Sequence, residues 1–148
     1  MKRVLTLIAA ICLPVAMFAQ TQEQLDEQKR KEKEEAEKVL YETIDKEIER
    51  YTLMLDLEDW QVFRIDSIMT YNLKAMMAEI ETLQKGKVSN TNAYIQTQDK
   101  WYEATYQAFM QNFTPEQQAK YLKSGAARAK KARDKRAQDI LKKKEKTK

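Results

Sequence analysis

The chain has no histidine and a single cysteine, Cys12, among 148 residues, with only two glycines and two prolines. Each shortage excludes something. Without imidazole, the usual general base near neutral pH and the commonest metal ligand are both missing. A redox or nucleophilic role would need the one thiol to be retained and accessible. Two glycines and two prolines cannot punctuate a sheet of short strands, whose turns demand positive or preset φ at regular intervals. The sequence has no glycine-rich phosphate loop and no calcium loop of alternating Asp/Asn around a central glycine. Glu79 with Glu81, and Glu58 with Asp59, read as solvated helix faces. No enzymatic activity, cofactor or metal site is therefore expected.

What the sequence does have is charge and helical periodicity. Charged residues make up 34% and apolar residues 43% of the chain, a composition suited to long helices with narrow apolar stripes. Met1, Lys2 and Arg3 form a short basic start, and residues 4–19 are an almost unbroken apolar run containing Pro14. That layout is a secretory signal peptide, with cleavage expected after Ala19. The run falls short of the ~20 residues that span hydrocarbon, so an uncleaved anchor is the weaker reading. A lipoprotein reading through Cys12 is weaker still, because Ile11 stands where a small residue is needed. Export would remove Cys12, leaving a chain without thiol or imidazole whose helices hold by packing alone.

Charge is segregated along the chain. Residues 20–50 carry eleven acids against seven bases, residues 51–119 nine against five, and residues 120–148 three against thirteen. An acidic body is thus followed by a strongly basic end.

Four helical segments are predicted. Residues 20–36 form a polar lead-in, helical or disordered, with little to bury. Tyr41, Ile44, Ile48, Tyr51 and Leu55 then recur at steps of three and four along a first helix over residues 37–55. A second helix starts near Asp56, taken as its cap, with the stripe Val62, Ile65, Met69, Leu73, Met76, Ile80 and Leu83, and ends at Gly86. A third runs over residues 92–112, with Ile95, Tyr102, Tyr106, Phe109 and Phe113 on one side. The fourth opens at Thr114, an N-cap followed by Pro115 at the first helical position and Gln117 closing a capping box. Residues 37–127 thus form one helical domain, and residues 128–148 a basic tail expected to be mobile.

Two helix starts are alike. Leu57-Glu58-Asp59-Trp60-Gln61 and Phe113-Thr114-Pro115-Glu116-Gln117 both resemble the LTxxQ motif that occurs twice in the Spy/CpxP family of periplasmic, all-helical proteins. The second copy has Phe113 for Leu, with Thr114 and Gln117 in place; in the first, Leu57 and Gln61 fit but Glu58 replaces threonine. The resemblance implies an elongated, thin helical-hairpin or cradle fold completed by antiparallel homodimerisation. It further implies an ATP-independent periplasmic chaperone that holds unfolded or partly folded client proteins on a concave face, or a related envelope-stress modulator. A zinc-sensing branch of the superfamily uses histidines, which this sequence lacks.

A holdase needs exposed apolar groups for unfolded chain and charges that keep the complex soluble. At ~100° per residue, Trp60 and Tyr71 fall opposite the second helix's stripe, with Arg64 and near Lys74. Tyr94 and Trp101 fall about a quarter turn off the third helix's stripe. These six are candidates for client or dimer contact; the alternative is that the aromatics widen the core where helices cross. Leu57, Gln61, Phe113, Thr114, Pro115 and Gln117 are read as structural, and Met69, Met76, Met77 and Met110 as core before adaptable contact. The basic tail, with Arg128, Lys130, Lys131, Arg133, Lys135 and Arg136, offers a competing role as an adaptor in weak electrostatic contact with an anionic membrane, polymer or acidic partner. Export argues against nucleic acid as its ligand. A Skp-like coiled coil would need unbroken heptads, which Gly86 and Pro115 interrupt.

Overall fold

The structure, a computed structural model, describes residues 13–146; Cys12 and the first twelve residues of the expected signal segment lie outside them. The elements are α1 (Leu13–Leu55), α2 (Asp59–Lys85), α3 (Thr91–Asn112), α4 (Pro115–Tyr121), a single π turn (Leu122–Ala126) and α5 (Ala127–Lys146). No strand occurs among the described residues, and the fold is all-α. The chain divides into two units, Met1–Leu40 and Tyr41–Lys148.

The first unit, where described, is helix. Residues 22–39 are exposed on every side. Nothing in this stretch is a helix breaker, and pairs one turn apart support it: Lys31 to Glu27 at 2.9 Å and Gln28 to Glu32 at 3.0 Å. Such pairs stabilise a solvated helix by only a few tenths of a kcal/mol each, ~0.3. The lead-in, expected to be helical or disordered, is helical where described.

In the second unit, Ile44 and Leu55 are the buried residues of α1. The helix stops because Asp56 turns left-handed, at φ 54°, so that the Leu57 N–H reaches back to the Thr52 carbonyl at 3.3 Å. This is a Schellman stop with aspartate where glycine is usual. Asp56 was expected to cap α2; it instead closes α1. Glu58 is the N-cap, and Gln61 completes its capping box.

The buried edge of α2 is Gln61, Ile65, Met69, Asn72 and Met76. Val62, Leu73, Ile80 and Leu83, expected in the stripe, are only half-buried. Two amides displace them because their hydrogen bonds are met across the helix contact: Asn72 donates to the Thr105 hydroxyl at 3.0 Å. At the far end Gly86 caps the helix at φ −74°. The left-handed residue is Lys87, at φ 51°, and Val88 N–H closes the same kind of stop onto the Leu83 carbonyl at 3.0 Å.

Asn90 caps α3 by accepting the Asn92 N–H at 3.0 Å. Phe109 is buried, whereas Tyr102, expected on the stripe, stands 47% exposed because Trp101 takes the place facing α2. In α4, Thr114, Pro115 and Gln117 form the capping box that the sequence spells. Tyr121, which the stripe reading leaves out, sits among Tyr51, Tyr106, Phe109 and Phe113 at ring-centroid distances of 5.4 to 6.1 Å. Burial, and then the neighbouring Tyr51, push its hydroxyl pKa upward. These rings meet mostly edge to face, the arrangement that the ring quadrupole favours.

Gly125 sits in the π turn at φ 112°, a left-handed conformation that side chains resist, and redirects the chain into α5. Most of the basic segment, where described, is a helix paired with α3. Arg133 pairs with Glu103 at 2.9 Å, Lys130 with Glu103 at 3.5 Å and Arg136 with Asp99 at 2.6 Å. The tail lacks apolar residues to bury, but two acids on α3 give it a fixed partner.

Replacing Lys87 with glycine should raise unfolding free energy by about 1 kcal/mol, since a left-handed β-carbon is removed. Urea denaturation followed by circular dichroism checks this, with an upward shift in midpoint expected at unchanged slope.

Candidate functional site

The two motifs meet. Gln61 donates through Nε2 to Gln117 Oε1 at 2.8 Å and to the Asn112 carbonyl at 2.9 Å. Gln117 donates through Nε2 to Gln61 Oε1 at 3.0 Å and to the Asp56 carbonyl at 3.3 Å. Each side-chain oxygen also accepts the N–H of its own N-cap, Glu58 at 3.1 Å and Thr114 at 3.0 Å. Every polar group of both amides is used. Each glutamine caps its own helix and holds the carbonyl two residues before the other's cap, so the junction has local two-fold character. Both side chains are buried, with Leu57 and Phe113 buried beside them. A buried amide is costly unless satisfied, and satisfaction here requires both helix starts at once. Thr114 and Pro115 hold the start of α4 that places Gln117.

With that junction fixing α2 against the start of α4, one face of α2 is left outward. Trp60, Phe63 and Tyr71 are 54%, 71% and 69% exposed, and with Arg64, Ser67 and Lys74 they fall on one side of the helix, opposite Ile65, Met69 and Met76. Trp60 donates its indole N–H to Glu58, which fixes the ring at the helix start. Beside this face lies an open groove of about 390 Å³ between α2 and α3. Arg64, Ile68 and Tyr71 line one side, and Ala104, Ala108 and Gln111 the other. The small alanines create the space. The arrangement offers apolar ring surface, a guanidinium and a shallow trough to an extended chain.

The six contact candidates thus separate. Trp60, Arg64 and Tyr71 lie together on the outward face. Lys74 is on the same side, its ammonium 4.8 Å above the Tyr41 ring. Trp101 belongs to the contact between α2 and α3, and Tyr94, on α3, to the contact with the loop that joins them. Tyr94 donates to the Val88 carbonyl at 2.9 Å and pins the intervening loop. Trp101 packs edge-on to Tyr71 at 6.4 Å and donates its indole N–H to Glu79 at 2.8 Å. Phe63 is the residue that sequence reasoning missed; the signal was there, three residues from Trp60 and on the same side of the helix as Tyr71. Of the methionines, Met69 and Met76 are buried and Met77 is 39% exposed. In the basic segment, Lys130, Arg133 and Arg136 face α3, while Arg128, Lys131 and Lys135 are exposed.

Glu79 joins Lys100 and Trp101 across the two helices. The hydrogen bond from Lys100, at 2.7 Å, and then that from Trp101 hold its carboxyl below the usual carboxylate range. A lowered folded-state pKa contributes stability above the unfolded value of 4.5 and loses it as pH falls through the folded value. In a Trp60→Phe background, the fluorescence of Trp101 should therefore stay level from neutrality down to mild acid and change with a midpoint below 4.5. Glu79→Gln should abolish that titration.

Comparison with protein-family models, with curated proteins and with solved structures finds no match for this chain.

Proposed function

We propose that the protein is an ATP-independent chaperone of the Spy/CpxP kind, exported to the periplasm, that holds unfolded or partly folded proteins without catalysis. The observation that carries this reading is the outward face of α2. Three large rings, Trp60, Phe63 and Tyr71, are left to solvent on a helix that buries its opposite edge, and Arg64 and Lys74 interleave with them. Exposed apolar groups at helical spacing, rimmed by charge, suit weak and distributed binding of extended chain. Weak binding is what allows release without nucleotide. The paired glutamine motifs, the all-α fold and the signal-like N-terminus support the family resemblance. The same resemblance extends the proposal to an antiparallel homodimer, which size-exclusion chromatography with light scattering tests.

The chain from residue 20 onward, added in stoichiometric excess to a chemically denatured client, should suppress light scattering in the absence of nucleotide. Trp60→Ala/Phe63→Ala/Tyr71→Ala should reduce protection severalfold at unchanged helicity, because these side chains are exposed. Undiminished client aggregation with the unaltered chain would contradict the reading.

A further inference from the structure

α5 carries two sets of cations with different surroundings. Lys130, Arg133 and Arg136 lie against α3, where Glu103 and Asp99 neutralise them, and Lys130 and Arg133 also stand 5.8 and 5.7 Å from the Tyr106 ring. At ~100° per residue, Arg128, Lys131, Lys135 and Lys142 fall on the opposite side of the helix. All four are exposed, and none pairs with a carboxylate among the described residues. They follow one another at intervals of three, four and seven residues, a straight row about 21 Å long at the rise of an α-helix. One carboxylate, Asp139, stands in the row between Lys135 and Lys142, so the row carries four cations against one acid, and Glu145 flanks it.

We propose that this outward face of α5 is a docking surface for an anionic lipid bilayer. Charge complementarity selects the occupant. The ion pairs to α3 hold the helix by one side, so the other side presents its cations in a line to a plane rather than wrapping a polymer. Three of the four are lysines, long point charges that suit a diffuse negative surface, where bidentate arginine forks would mark a fixed phosphate. No aromatic residue lies on this side, so the stacking platform that single-stranded nucleic acid needs is missing. Leu141, 60% exposed, stands off the row, so contact is peripheral and electrostatic, without insertion. No helix among the described residues is long and apolar enough to cross a membrane. This surface is on a different helix from Trp60, Phe63 and Tyr71, so it would localise the protein independently of what α2 holds.

The test is sedimentation of the full-length chain with vesicles of phosphatidylcholine alone or mixed with phosphatidylglycerol, at low and high salt. The apolar N-terminal run contributes to both vesicle types, so the difference between them is what is read. The unaltered chain should prefer the anionic vesicles at low salt and lose the preference at high salt, where screening shortens to a few ångströms, ~3 Å at 1 M. Each neutralised cation in the row should lower the preference about fivefold, and Arg128→Gln/Lys131→Gln/Lys135→Gln/Lys142→Gln should abolish it. A charge-matched control, Lys29→Gln/Lys33→Gln/Lys120→Gln/Lys123→Gln, should retain it. Circular dichroism confirms that both variants are helical, and Lys131→Arg/Lys135→Arg/Lys142→Arg, which keeps every charge, should bind like the unaltered chain. No preference for anionic lipid, equal loss in the row variant and the control, or binding to soluble RNA or polyphosphate without binding to vesicles would each overturn the proposal.

Discussion

Gln61 and Gln117 form the interaction on which the second unit depends. Each amide is buried, and each is satisfied only if the other is in place. Their bonds reach the caps of two helices and the last turns or turn residues of the two helices before them. Removing one partner leaves the other with unmet donors and acceptors in a closed site, a penalty of roughly 1 to 3 kcal/mol for each such group. A hydrophobic contact of the same area would fasten the helices without fixing their rotation. The amide pair fixes both, since its donors and acceptors match in one register.

That fixed register explains how so little core suffices. The fully covered large side chains are few, Phe109, Ile44, Leu55, Ile65 and Gln61 among them, and the ring cluster around Tyr121 fills the space near the junction. With the junction set, polar pairs carry the contact between α2 and α3: Asn72 with Thr105, and Glu79 with Lys100 and Trp101. The helix contact leaves Trp60 and Phe63 facing outward, and Tyr71, although Trp101 packs edge-on against it, stays 69% exposed, so the three rings remain available to bind other chains. The same logic holds at α5, where ion pairs to one side leave the cations on the other side unmatched. Both surfaces assigned a binding role consist of side chains that the fold leaves largely exposed.

The local features were legible in the sequence. Thr114, Pro115 and Gln117 spell a helix start by their own chemistry, and Ile65, Met69 and Met76 recur at a period that only a helix explains. What the sequence hid were pairings between distant residues. Gln117 read as the close of a capping box and Gln61 as its counterpart in the other motif, and nothing local says that the two bond to each other. Arg133 and Arg136 read as a solvated run because their partners, Glu103 and Asp99, are on another helix. Asp56 looked like an N-cap because aspartate favours that place, yet it also tolerates the left-handed backbone better than most residues, and closing α1 was the demand that won. Tyr121 escaped notice because its burial comes from rings on α1 and α3 that are distant from it in sequence.

The claim that the two motifs act as one unit can be measured by a double-mutant cycle of Gln61→Leu and Gln117→Leu, with unfolding free energies from urea titration. Each single change strands a buried amide, whereas the double change strands none. The two effects should therefore fall well short of additive, with a coupling of about 1 to 3 kcal/mol. Additivity within about 0.5 kcal/mol would show that each glutamine serves only its own helix, and would contradict the account.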